Sequence, residues 1–109
     1  MTEPKPYSFS LPDGAMFSGL DKKLHSVDDK PSVIYADGTK FWYRHGKLHR
    51  DGGPAVVYFN GIEEWWQDGK RHRADGPAAI YPNQPDIMSA KRGHKEYWAF
   101  GQFVREEGP

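Results

Sequence analysis

The chain has 109 residues, with 15 Lys+Arg balanced by 15 Asp+Glu and no cysteine, which fits one small domain with a thin core. Zero net charge argues against a general nucleic-acid or membrane-surface binder, and the lack of cysteine excludes disulfides, thiolate metal sites and cysteine nucleophiles. No apolar run approaches the roughly 18 residues of a membrane span, and the opening MTEPKPYSFS has no signal-peptide features, so the expected location is the cytoplasm.

Twelve glycines, nine prolines, 4 Trp, 6 Tyr and 6 Phe in a chain only 37% hydrophobic point to short strands separated by many turns. No stretch of ten residues keeps apolar positions at helical spacing. Self-similarity decides the architecture. Gly46-Lys47-Leu48-His49-Arg50-Asp51-Gly52-Gly53-Pro54-Ala55 is repeated 23 residues later as Gly69-Lys70-Arg71-His72-Arg73-Ala74-Asp75-Gly76-Pro77-Ala78.

In chain order, a faint first unit (about 13–36) carries Asp13-Gly14 and Lys23-Leu24-His25. The second (about 37–59) carries Asp37-Gly38, the pair Trp42-Tyr43 and His49. The third (about 60–82) carries Asn60-Gly61, Trp65-Trp66 and His72. The fourth (about 83–109) carries Tyr97-Trp98, Gly101-Gln102 and Arg105-Glu106-Glu107-Gly108-Pro109, with Val104 where histidine stood. Within a unit, Ala55 to Phe59 and Ile62 to Gln67 read as strands joined by a type I′ turn at Asn60-Gly61. Asp68-Gly69 turns the chain again, and Asp75-Gly76-Pro77 breaks pairing because proline lacks the ladder donor. The expected fold is all-β: an antiparallel meander of repeated hairpins, about seven or eight short strands in all.

The string G-K-x-H-R-x-D-G-P-A after an aromatic pair resembles the variant form of the MORN repeat. The resemblance covers most of residues 13–109 and implies a hairpin-repeat fold. Such repeats occur in proteins of large bacteriophages and giant viruses and in antitoxin-like bacterial proteins, which implies a binding role without shared catalysis. Arg50 and Arg73 stand where the ordinary MORN repeat carries glycine, so the lipid-binding role of some members does not carry over.

From Tyr81 to Tyr97 the unit is interrupted by nine extra residues. Pro85-Asp86, Ser89-Ala90 and Lys91-Arg92-Gly93 are start and stop signals for one to two helical turns near 85–92. The segment is either a tolerated loop insertion or a partner-binding knob built from Ile87 and Met88 and flanked by Lys91 and Arg92.

His25, His49 and His72 recur in register, but equivalent residues two strands apart lie roughly 10 Å from each other. Ligands of one zinc must all lie about 2 Å from the ion, so no metal or other cofactor is expected. Each histidine instead reads as donating to a linker carbonyl and packing under the next unit. Arg50, Arg73 and Arg105 read as pairing with linker acids such as Asp51, Asp75 and Glu107 or with linker carbonyls. Alternation places Trp42, Trp65 and Tyr97 on one face and Tyr43, Trp66 and Trp98 on the other. Because Phe41 and Ile62 accompany the second set, that set is assigned to the core, and Trp42, Trp65 and Tyr97 to a half-exposed ladder. The alternative is that both sets are structural. Glu63-Glu64 and Glu106-Glu107 point to opposite faces and do not converge as an acid and base would, so no catalytic residues are assigned. The expected function is a protein-binding module, concretely a small phage-type inhibitor or antitoxin-like protein masking a bacterial target. The alternative is an aromatic ladder for glycan or single-stranded nucleic acid.

Overall fold

The computed structural model describes residues 3–85, 87 and 90–109. Its regular structure is entirely antiparallel strand: β1 (Pro6–Ser10), β2 (Met16–Leu20), β3 (Lys23–Leu24), β4 (Val33–Ile34), β5 (Lys40–Phe41), β6 (Tyr43–Arg44), β7 (Lys47–Leu48), β8 (Val56–Val57), β9 (Glu63–Glu64), β10 (Trp66–Gln67), β11 (Lys70–Arg71), β12 (Ala79–Ile80), β13 (Lys95–Ala99) and β14 (Gln102–Glu107). One ten-stranded sheet runs β1-β2-β4-β5-β8-β9-β12-β13-β14, with β3 paired to β2; β6-β7 and β10-β11 form separate hairpins beside it. This is the expected meander, more finely divided.

The division falls at the first aromatic of each pair. Trp42 N–H donates into the main sheet, to Ala55 O at 2.8 Å, while its carbonyl accepts from His49 N at 3.1 Å in the side hairpin; Trp65 repeats the arrangement with Ala78 and His72 at 2.7 and 3.0 Å. Each of these residues therefore ends one ladder and begins another. At the equivalent place in the last unit the register shifts between Tyr97 and Trp98.

Two kinds of turn alternate. At the sheet end, Gly61 N donates to Tyr58 O and Tyr58 N to Ile62 O, both at 2.9 Å, and of Asn60 and Gly61 only the glycine has positive φ. That is a type I turn closed by a left-handed glycine, not the expected type I′ turn. Asp13, Asp37 and Asn60 serve it in the same way, each side-chain oxygen accepting the N–H two residues on, at 2.9, 2.9 and 3.3 Å. The I′ geometry sits at the other end, where both central residues of His45-Gly46, Asp68-Gly69 and Phe100-Gly101 have positive φ.

The molecule is elongated. Its Cα radius of gyration is 15.2 Å, against about 13 Å for a compact domain of this length. The fully buried apolar positions are mostly small: Ala15, Val33, Ala55, Val56, Ala78 and Ala79, joined by Trp42 and Ile87. The insertion forms no helix among its described residues; Asp86, Met88 and Ser89, on which the expected turns were to be built, lie outside them.

Candidate binding surface

Successive strands align Phe9, Phe17, Val33, Phe41, Val56, Glu64, Ala79, Glu96 and Glu106 in one transverse row. Residues two positions along share its face, which adds Tyr7, Tyr35, Tyr43, Tyr58, Trp66, Tyr81 and Trp98. At the N-terminal end this face is a strip of touching rings. Centroid separations are 6.3 Å for Tyr7–Phe9, 5.0 Å for Phe9–Phe17, 6.1 Å for Phe17–Tyr35, 5.5 Å for Tyr35–Phe41, 6.4 Å for Phe41–Tyr43 and 6.3 Å for Phe41–Tyr58. Phe9 is 52% exposed and Tyr35 43%; the other rings are half-buried.

Toward the C-terminal end the same face turns polar. Glu64 and Glu96 are buried, with Arg71 between them, its Nη2 3.2 Å from Glu64 Oε2 and its Nη1 3.7 Å from Glu96 Oε1. The Trp66 and Trp98 indoles donate to Glu64 Oε1 and Glu96 Oε1 at 2.9 and 3.0 Å, and Lys91 Nζ donates to Glu96 Oε2 at 2.9 Å. Burial raises the Glu96 carboxyl, but hydrogen bonds from Lys91 and Trp98 and the charges of Lys91 and Arg71 outweigh it and leave the group below its ordinary value. The same pairing raises Lys91. Burial first, then the nearby Glu64 and Glu96 charges, raise Tyr58 and Tyr81. Each carboxylate oxygen thus has a donor in or near reach, as buried charges require.

The opposite face carries Trp42, Trp65 and Tyr97, each capped by an arginine whose Cζ lies 3.8, 3.7 and 3.8 Å from the ring centroid: Arg50, Arg73 and Arg105. Arg50 donates to Pro54 O and Arg73 to Pro77 O, both at 3.1 Å, so each also ties down the linker crossing that face. The expected partners recur in part: Arg73 meets Asp75 and Arg105 meets Glu107, whereas Arg50 meets Asp29 of the preceding linker and Asp51 goes to His49.

The half-exposed ladder is therefore corrected at Trp42, and the core assignment at Tyr43, Trp66 and Trp98. Trp42 is only 6% exposed, while Trp65 and Tyr97 are half-buried under their arginines; Tyr43, Trp66 and Trp98, assigned to the core, are equally half-buried on the aromatic face. The linker and stacked guanidinium do the covering, and this is not visible in the flanking strand residues. The knob is corrected as well. Ile87 is 3% exposed and belongs to the core, Lys91 is engaged by Glu96, and Arg92 Nη2 donates to Pro85 O at 3.2 Å; Met88 lies outside the described residues.

The histidines act between units by accepting, not by donating to linker carbonyls. His25, His49 and His72 each receive on Nδ1 the backbone N–H of the first I′ turn residue of the following unit, from His45, Asp68 and Phe100 at 3.1, 3.0 and 3.0 Å. Since an amide N–H only donates, Nδ1 carries no proton and the rings are the Nε2–H tautomer. Among the described residues no group of three or more His, Asp or Glu is placed to hold a metal ion, and no helix is long and apolar enough to cross a membrane.

Sequence reasoning missed the aromatic strip and the carboxylate cluster. Both were signalled, because Glu64 and Arg71 stand one 23-residue period after Phe41 and Leu48: two apolar positions become an ion pair. Compared with protein-family models, curated proteins and solved structures, the chain matches none.

Proposed function

We propose that the chain is a non-enzymatic protein-binding module that docks a partner on the aromatic face. The observation that carries this is the unbroken ring strip from Tyr7 to Tyr58, with Phe9 and Tyr35 exposed. Contiguous exposed aromatic surface is uncommon away from interaction sites, and aromatic anchors dominate interface energetics. Balanced charge favours a protein over single-stranded nucleic acid, whose affinity comes chiefly from phosphate neutralisation. The resemblance to variant MORN repeats supports the finer reading of a phage-type inhibitor or antitoxin-like protein that masks a target in the bacterial cytoplasm. Capture of a partner from bacterial lysate, followed by titration with Phe9→Ser, Tyr35→Ser and Met16→Ser, tests the proposal. The first two should weaken binding by at least tenfold and Met16→Ser, exposed on the other face, should not. Equal effects of all three would refute it.

A further inference from the structure

The units share a linker clamp that is complete in one copy and open in the next. In the complete copy, Asp29 stands two residues before the linker proline Pro31 and takes a left-handed backbone, φ 57. Its carboxylate receives Arg50 Nε and Nη2 at 2.9 and 3.1 Å, and its carbonyl receives the Trp42 indole N–H at 3.0 Å. One aspartate thus satisfies both the guanidinium fork and the indole beneath it, the paired geometry for which arginine is suited.

In the next copy Trp65 and Arg73 hold the same relation, with Cζ 3.7 Å from the ring centroid, but the residue two before Pro54 is Gly52. It keeps the left-handed backbone, φ 77, and has no carboxylate. A Cβ added there would meet nothing within 4 Å. Beside its bond to Pro77 O, Arg73 has one carboxylate contact, 3.3 Å from Nε to Asp75, itself 87% exposed. Among the described residues its Nη2 has no acceptor, and the buried Trp65 Nε1 has no hydrogen-bond partner. A cavity of about 780 Å³ lies here, lined by Gly52, Trp65, Lys70 and Arg73 and by the carboxylates Asp68 and Asp75 among others, whereas the cavity at the complete clamp is about 440 Å³.

We infer that the Trp65–Arg73 cavity binds an aspartate of a partner protein, whose carboxylate takes the place that the Asp29 carboxylate fills internally one unit earlier. Its carboxylate pairs with the Arg73 fork, in the open space where a side chain at Gly52 would stand. The inference deepens the protein-binding reading by naming the chemistry of one contact, on the side of the sheet opposite the aromatic strip. A partner using both sites must reach around the sheet edge or be bridged by a second molecule.

The test uses blocked aspartate (N-acetyl-aspartate N-methylamide) as the probe, titrated into the isotope-labelled full chain, following the Trp indole and Arg Nε–H resonances. Saturable shifts at Trp65 and Arg73, in the range of tens of millimolar, are expected. Trp42 and Arg50, already engaged by Asp29, should stay still, and blocked asparagine should shift nothing. Gly52→Asp should abolish the response by supplying the carboxylate in cis, since aspartate tolerates a left-handed backbone. Gly52→Ala, with the same backbone demand and no carboxylate, should keep it. No response, equal shifts at Trp42 and Trp65, or an undiminished response in Gly52→Asp would each overturn the inference. Because the titration needs no partner, its outcome is independent of whether the aromatic strip captures one.

Discussion

Replacing Arg71 by leucine copies Leu48, which occupies the same position one unit earlier, yet it should be among the most damaging single changes in the chain. It leaves Glu64, 9% exposed, and Glu96, 6% exposed, without their shared cation. Removing one partner from a buried ion pair typically costs about 3–5 kcal/mol. Two features place this case near the lower end: the Arg71 side chain is 21% exposed, and Glu96 keeps Lys91 and the Trp98 indole. A loss of about 3 kcal/mol corresponds to a fall in Tm of about 10–15 °C for a domain of this size. The double replacement Glu64→Phe/Arg71→Leu instead transplants the Phe41/Leu48 pair, and swapping a buried ion pair for apolar residues is often neutral or stabilising. Urea denaturation of the three proteins at neutral pH measures both differences. If Arg71→Leu lost less than about 1 kcal/mol, or if the double variant were weaker than the single, the cluster would not be the buried charge network described.

Trp42→Ala, at the more deeply buried site, should destabilise by about 3–5 kcal/mol, and half-buried Trp66→Ala by clearly less; equilibrium unfolding would show the order, opposite to that expected from strand alternation and flanking residues. His25 has its imidazole held below its ordinary value by burial and by the His45 and Arg44 charges. The unfolded chain therefore takes the proton first, and this contribution, complete above about pH 6.5, is lost as pH falls through the lowered folded value. His25→Asn, which can keep an acceptor for the His45 N–H but cannot titrate, should flatten part of the decline in Tm between pH 7.5 and about 5. Asp37→Ala, which removes the acceptor for Thr39 N–H, should cost about 0.5–1.5 kcal/mol and no binding, as read by thermal melts and partner titration.

The repeat, its Asx-Gly turns and the meander were legible because each depends on local chemistry: a left-handed glycine, an acceptor two residues from its donor, a proline that ends pairing. The Asn60-Gly61 turn was mistyped because Asn-Gly is a strong signal for a two-residue I′ turn, whereas here the pair closes a type I turn with a left-handed Gly61. The I′ turns between the aromatic pair and the histidine fall at His45-Gly46, Asp68-Gly69 and Phe100-Gly101; only Asp68-Gly69 carries the Asp-Gly signal of that turn, and His45 and Phe100 give none. The faces were separated correctly at Trp42 and Tyr43, but exposure was assigned from neighbouring strand residues. Burial of Trp42 comes from Arg50 and the linker reaching back to Asp29, contacts made 8 and 13 residues away in sequence. The histidine clamps were legible as a recurrence; their direction depends on a turn amide 19 to 28 residues further on.

The most direct measurement of the central claim is hydroxyl-radical footprinting of the free chain against its complex with the captured partner. Phe9 and Tyr35, exposed on the aromatic strip, should be protected on binding, while Met16, 55% exposed on the opposite face beside them, should react at an unchanged rate. Protection of Met16 with Phe9 and Tyr35 unchanged would contradict the assignment of the aromatic face as the docking surface.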